Sequence, residues 1–141
     1  SKIYILNLAE SSGAVNIPLT SFLNFILVWN TGIGFGLFSF DGNTMYNLIT
    51  ILIVIVNLII IYLMLTSDDI RGYLFSMILG GSLGNLFDRF YYSAVPDFID
   101  LNYNGFHWFV FNVADIFITV GIVCLIFAEL FLNKLNLKNE K

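Results

Sequence analysis

Four of the ten acidic side chains, Asp88, Asp97, Asp100 and Asp115, cluster between two apolar runs, with Arg89 beside them. Two carboxylates brought into proximity cannot both ionise readily, so one keeps a proton where the other has lost its own. Such a pair can hydrolyse an amide without a metal or a covalent intermediate. The ionised member takes a proton from water, and the protonated member polarises the scissile carbonyl. Other roles are open to the same residues. Aspartates near helix ends cap helices, and Asp88 beside Arg89 suits an ion pair or a tertiary scaffold.

The elements that would carry these groups are apolar. Residues 46–65 are almost unbroken hydrocarbon, and at about 1.5 Å per residue they span roughly 30 Å, a bilayer core. A polar turn at residues 66–71 follows, then a shorter glycine-rich run at 72–87 ending in Asp88-Arg89, and a third run at 112–134. The last two are also expected to be membrane helices, giving three in this chain. Arg71 to Asp88 corresponds to roughly 25 Å of rise and Asp115 to Lys134 to roughly 28 Å. Antiparallel packing would then bring Asp88 and Asp115 to one surface, with Asp97 and Asp100 in the connection. Residues 1–43, with turn signals between β-prone stretches such as 22–29, read as a small sheet-like element. Residues 90–111 are rich in aromatics suited to a water–lipid interface. One domain, 1–141, is expected: a mainly α polytopic membrane bundle with a small β-element outside the membrane.

Composition agrees. The chain is 58% hydrophobic and 11% charged, with mean hydropathy +0.86, whereas a soluble domain keeps about a quarter of its residues charged. Six Lys and Arg at a net charge of -4 leave no basic stripe for nucleic acid. One Cys and one His exclude an internal disulfide and make a zinc site improbable; no metal and no cofactor are implied. No signal peptide is visible. Arg71, Lys134, Lys138 and Lys141 fall on one side and Lys2 and Arg89 on the other, which orients the Arg71 side to the cytoplasm.

Several features look chemical and have plainer accounts. Gly80-Gly81-Ser82-Leu83-Gly84 matches G-x-S-x-G, but a nucleophile elbow needs a strand-to-helix turn; close packing through Gly80 and Gly84 fits an apolar helix. Gly32-Ile33-Gly34-Phe35-Gly36 lacks the spacing of a dinucleotide loop and reads as a turn where the backbone approaches another group. His107 reads as an interfacial partner of Trp108, Cys124 as a core residue, and Glu129 as snorkelling near Lys134.

Four blocks together carry more than spacing does: Asn30-Thr31-Gly32-Ile33-Gly34-Phe35-Gly36; Gly80 to Gly84 followed by Asn85-Leu86-Phe87-Asp88-Arg89; Val95-Pro96-Asp97-Phe98; and Phe111-Asn112-Val113-Ala114-Asp115. In this order, against these helices, they resemble the bacterial lipoprotein signal peptidases (type II signal peptidases) over nearly the whole chain. The resemblance implies a four-helix aspartyl endopeptidase of the cytoplasmic (inner) membrane, with its active site at the extracytoplasmic face. It implies removal of signal peptides from diacylglyceryl-modified prolipoproteins before the lipidated cysteine, with membrane lipid as surroundings and globomycin as inhibitor. The catalytic pair it implies is Asp97 and Asp115. Asn30, Gly32, Asn85, Asp88, Arg89 and Asn112 match the polar and glycine positions expected to orient the pair and hold the substrate. Ser1-Lys2 resembles the close of the family's first membrane helix, so three helices are expected here against four in the complete fold. Phe109 and Ile116 stand where proline and serine are common, which bears on the shape of the connection.

Two rival functions compete with this one. A small transporter or channel subunit could use the outer carboxylates as a cation site, but the 46–65 span has only Asn57 as a strongly polar group at its middle. A serine peptidase would need His107 to reach Ser82, which lies about two turns below Asp88.

Overall fold

The computed structural model describes residues 1–32, 43–103 and 106–139. Gly34 and Gly36 of the glycine-rich block, and the side chains of His107, Trp108 and Lys134, lie outside the described residues. Four helices, α1 (Lys2–Ser12), α2 (Asn43–Thr66), α3 (Ile70–Tyr92) and α4 (Val113–Asn139), combine with four strands, β1 (Asn16–Pro18), β2 (Leu23–Asn30), β3 (Val95–Tyr103) and β4 (Phe106–Phe111). The strands form one antiparallel sheet in the order β1-β2-β3-β4, and α2 and α3 are inserted between its second and third strands.

Two of the helices carry apolar residues around their whole circumference. The Thr44–Thr66 span has mean hydropathy 3.1 and Val113–Phe131 has 2.3, with only 17% and 11% of their residues buried inside the protein. A soluble core helix of that composition would be mostly buried. These are long and apolar enough to cross a membrane, and their exposed hydrocarbon requires lipid as solvent. Cys124, expected in the core, is accordingly exposed on α4: in lipid an apolar run need not face inward.

α3 lies between the other two, and its glycines decide how closely. A Cβ on Gly81 would stand 2.5 Å from the Ala114 carbonyl oxygen and 2.8 Å from Ile118 Cγ1; one on Gly121 would stand 2.6 Å from Ile78 Cγ1. These pairs run in opposite directions along the two helices, so α3 and α4 are antiparallel as the sequence indicates. The glycine responsible is Gly81, however. Gly80 has no neighbour within 4 Å and Gly84 makes only ordinary contact.

The region before α2 departs from the expected sheet. Residues 2–12 are helical, because Ile5, Leu8 and Ala9 recur at helical spacing and pack with Val15, Phe98 and Phe25 in the main core cluster. Phe25 and Phe98 meet edge to face at 6.0 Å. Gly13, left-handed at φ 76, ends α1 with its N–H on the Ala9 carbonyl. The β-prone stretch at 22–29 is strand as expected. Residues 90–111 complete α3 and then form β3 and β4, where the sequence had suggested only an interfacial segment.

Candidate active site

The site forms where the sheet meets the ends of α3 and α4. In β3, Phe98 points into the core under α1, and period-2 alternation turns its neighbour Asp97 the other way. Ser93, left-handed at φ 57, closes α3 and reverses the chain into that strand. Register pairs Val28 with Asp97 and Asn30 with Val95, which brings Asn30 beside the same carboxylate. Asp97 is 2% exposed and Asn112 is fully buried.

Asp115 is fixed by a reciprocal cap at the start of α4. Asn112 Oδ1 accepts from the Ala114 N–H at 2.7 Å, and Asp115 Oδ2 accepts from the Asn112 N–H at 2.9 Å. This is a capping box built from Asn and Asp, and the helix N-terminus favours negative charge at Asp115. Asn112 also donates from Nδ2 to Asp97 Oδ1 at 2.7 Å. One asparagine therefore holds both carboxylates.

The other two asparagines complete the arrangement. Asn30 Nδ2 donates to Asp97 Oδ2 at 2.9 Å while its Oδ1 accepts from the Gly32 N–H at 2.9 Å. Asn85 Nδ2 donates to Asp115 Oδ1 at 2.7 Å while its Oδ1 accepts from Lys2 Nζ at 2.6 Å. Each amide has its oxygen committed to a donor, so each must present its NH₂ to a carboxylate. Burial pushes the Asp97 carboxyl above the usual range, and the nearby Asp115 charge pushes the same way; the bonds from Asn112 and Asn30 and the Lys2 charge offset part of this.

The neighbouring charged pair differs from the sequence reading. Asp88 pairs with Lys2 and not with Arg89, because α1 delivers its first residue to that face of α3. Arg89 donates to the Gly32 carbonyl and lies 5.7 Å from the centre of the Tyr46 ring; the Tyr46 hydroxyl donates to the Arg89 carbonyl at 2.7 Å. Gly32 is thus a point where backbone approaches another group, as its turn suggested. Asp100 is fully buried and accepts from Asn24 Nδ2 at 3.2 Å, stitching β2 to β3. The sequence reading gave no site role to Lys2 or Tyr46. Lys2 had one signal, being one of only six cations; Tyr46 looked like the edge of an apolar run. Glu129 pairs with Arg71 at 3.1 Å, where the sequence had suggested proximity to Lys134.

A cavity of about 220 Å³ opens beside the pair, lined by Asp97 and Asp115 together with Asn30, Ser82, Asn85 and Thr119 among others. Fold and site together define a membrane helix bundle that carries buried paired carboxylates beneath a small sheet. Residues 1–131 match the signal peptidase (SPase) II family, and the chain belongs to that family. It is 59% identical over 99% of its length to a lipoprotein signal peptidase of Pelagibacter ubique (strain HTCC1062), covering 85% of that protein. It is 39% identical over 92% of its length to one of Anaplasma phagocytophilum (strain HZ), covering 82% of that protein. A bacterial membrane enzyme solved by the in meso method at 2.3 Å shares the fold, with TM-score 0.72 at 24% identity over 92% of this chain and 84% of the other.

Proposed function

We propose that the chain is an aspartyl endopeptidase that removes signal peptides from diacylglyceryl-modified prolipoproteins, cutting before the lipidated cysteine, with Asp97 and Asp115 as catalytic pair. The observation that carries this reading is Asn112, which donates to one oxygen of each carboxylate. Asp97, whose carboxyl burial pushes up, holds the proton and polarises the scissile carbonyl. Asp115, at a helix N-terminus, takes a proton from the attacking water as its oxygen bonds to the carbonyl carbon. The tetrahedral diol then collapses: Asp115 passes its proton to the amine nitrogen as the C–N bond breaks, a diol hydroxyl returns a proton to Asp97, and the two products leave. Asn30, Asn85 and Asn112 orient the pair, while Gly32, Asp88 and Arg89 fix the surrounding backbone.

The substrate is anchored in lipid, so a site at the helix ends suits it. In this reading α3, whose 23 residues rise roughly 34 Å, is the third membrane helix of the chain, within a complete fold of four. The whole of 1–141 acts as one domain in the bacterial inner membrane, with the sheet and the site at its extracytoplasmic face. A transporter would need carboxylates along a transmembrane path; here Asp97 and Asp115 sit together at one end and are bonded to amides.

Incubation of the protein in lipid with a diacylglyceryl-modified prolipoprotein tests the reading. The expected result is a shortened product whose appearance globomycin blocks. Cleavage that resists globomycin but stops with a serine-directed phosphonate would overturn it.

A further inference from the structure

Two hydroxyls in the cavity, Ser82 on α3 and Thr119 on α4, have no place in the chemistry above. Other hydroxyls within the helices bond to their own backbone: Thr50 to the Tyr46 carbonyl at 2.9 Å, Thr66 to Tyr62 at 2.9 Å and Ser76 to Tyr73 at 2.7 Å. That is how a hydroxyl is satisfied in an apolar helix. Among the described residues, neither Ser82 nor Thr119 makes such a bond. Both line the same cavity as the two carboxylates, with Ile53, Val95 and Ile118 among the other walls; Ser82 is half-buried and Thr119 is exposed.

The spacing along the helices suits one kind of occupant. Ser82 lies roughly 4.5 Å of helix rise below Asn85, which bonds Asp115, and Thr119 lies roughly 6 Å of rise below Asp115 on the antiparallel α4. Two O–H···O bonds in series span about 5.5 Å. A water that donates to a carboxylate above and bonds a hydroxyl below would bridge that offset. A water held in such a cavity needs two to four polar partners and room; the carboxylates and hydroxyls supply the first and 220 Å³ the second.

We propose that Ser82 and Thr119 hold the hydrolytic water beneath Asp97 and Asp115, so that the water attacks from the helix side of the site while the peptide lies against the pair. This rests on the aspartyl reading of the site. It gives Ser82 a role as a water-holding donor and not as a nucleophile. The water is consumed as already written: its oxygen joins the carbonyl carbon, one proton passes to Asp115, and solvent replaces it.

The test is steady-state cleavage of a diacylglyceryl-modified prolipoprotein peptide by the full chain in lipid. Ser82→Ala with Thr119→Val removes both hydroxyls at nearly constant volume and is expected to lower kcat about tenfold or more, through lost positioning, with KM within about twofold. Thr119→Ser restores the hydroxyl and is expected to keep the parent kcat. A raised KM at unchanged kcat would mean that the hydroxyls grip the peptide, and would overturn the proposal; so would a double variant that matches the parent. Should the double variant not fold, Thr119→Val against Thr119→Ser decides: equal kcat for the two overturns it. Asp97→Asn and Asp115→Asn run alongside. If they stay active the aspartyl reading itself fails, whereas inactive Asn variants with an unaffected hydroxyl pair would sink only the water-holding role.

Discussion

The two ends of the helix bundle use the same residue types to opposite effect. At the far end, Asp69 caps α3 by accepting from the Arg71 N–H at 2.9 Å, and the Arg71 guanidinium bonds both Asp69 and Glu129. All three side chains are more than a third exposed, and the Arg71 bonds hold the Asp69 carboxyl below its usual range. At the sheet end, Asp88, Asp97 and Asp115 are each at most 8% exposed. There, among the described residues, Asp97 receives only neutral amide donors, and burial shifts its carboxyl up. A carboxylate bonded to a cation in water is held below its usual range; one buried out of water is pushed above it even though amides bond it. Among the described residues, two cations reach the site: Lys2 contacts Asp88 and Asn85 and so touches Asp115 through an amide, and Arg89 lines the same cavity as the two carboxylates.

The largest effect should come from abolishing that contrast. Asp97→Asn and Asp115→Asn are each expected to lower kcat/KM on the order of 10³-fold, with the double variant no worse than either single, since groups acting as one unit are non-additive. A double variant that is worse by the product of the two would separate their roles. The pH dependence follows from the direction of the Asp97 shift. As pH rises through its raised value the acid is lost, so activity should fall on an alkaline limb displaced above the ordinary carboxylate range. Stability follows the same sign. A carboxyl raised in the folded state contributes stability below its unfolded value, about 3.9, and loses it as pH rises through the folded one. Asp97→Asn lacks that loss, so its stability relative to the parent should increase with pH across the window. The new amide faces two locked NH₂ groups, which adds a constant, pH-independent penalty. Denaturation midpoints at several pH values in detergent would check the sign.

A smaller effect should come from the contact that sets where Asp115 sits. Gly81→Ala puts a methyl against the Ala114 carbonyl, one residue before Asp115, and overpacking of this kind costs about 1–3 kcal/mol. The thermal midpoint and kcat should both fall. Gly80→Ala meets open space and should leave both unchanged. If the two behaved alike, the α3–α4 approach would not govern the site.

That glycine also marks how far the sequence could be read. Helices α2 and α4 were legible because hydrocarbon length is a strong signal, and the convergence of Asp88, Asp97 and Asp115 followed from antiparallel helices of matched rise. The four motif blocks singled out the asparagines. What spacing could not give was direction around a helix axis. Gly80 and Gly81 are adjacent in sequence, yet only one faces α4. Nor could it give contacts across the chain: Asp88 had a neighbouring arginine in sequence, but its partner is Lys2, brought by a helix too short and too weakly patterned to stand out from a β-prone region. β3 and β4 were hidden for a related reason. Their aromatics suit a membrane interface and a strand equally well, and pairing with β2 across two inserted helices leaves no local trace.

The smallest effect is expected at the far end, and it is the sharpest control on the comparison. Arg71→Met removes the guanidinium from Asp69 and Glu129 but leaves the Asp69 cap on the Arg71 backbone N–H intact, since that bond does not use the side chain. Exposed ion pairs are screened by solvent and salt and contribute little. Arg71→Met and Glu129→Gln should therefore leave cleavage unaltered and the thermal midpoint nearly so, and any change should vanish in high salt. Combining the two should add nothing beyond the single changes, because each already breaks the same bond. A loss of cleavage in Arg71→Met with the midpoint preserved would mean that the far end communicates with the carboxylate pair along α3, and the division of the bundle into an exposed clamp and a buried carboxylate site would have to be abandoned.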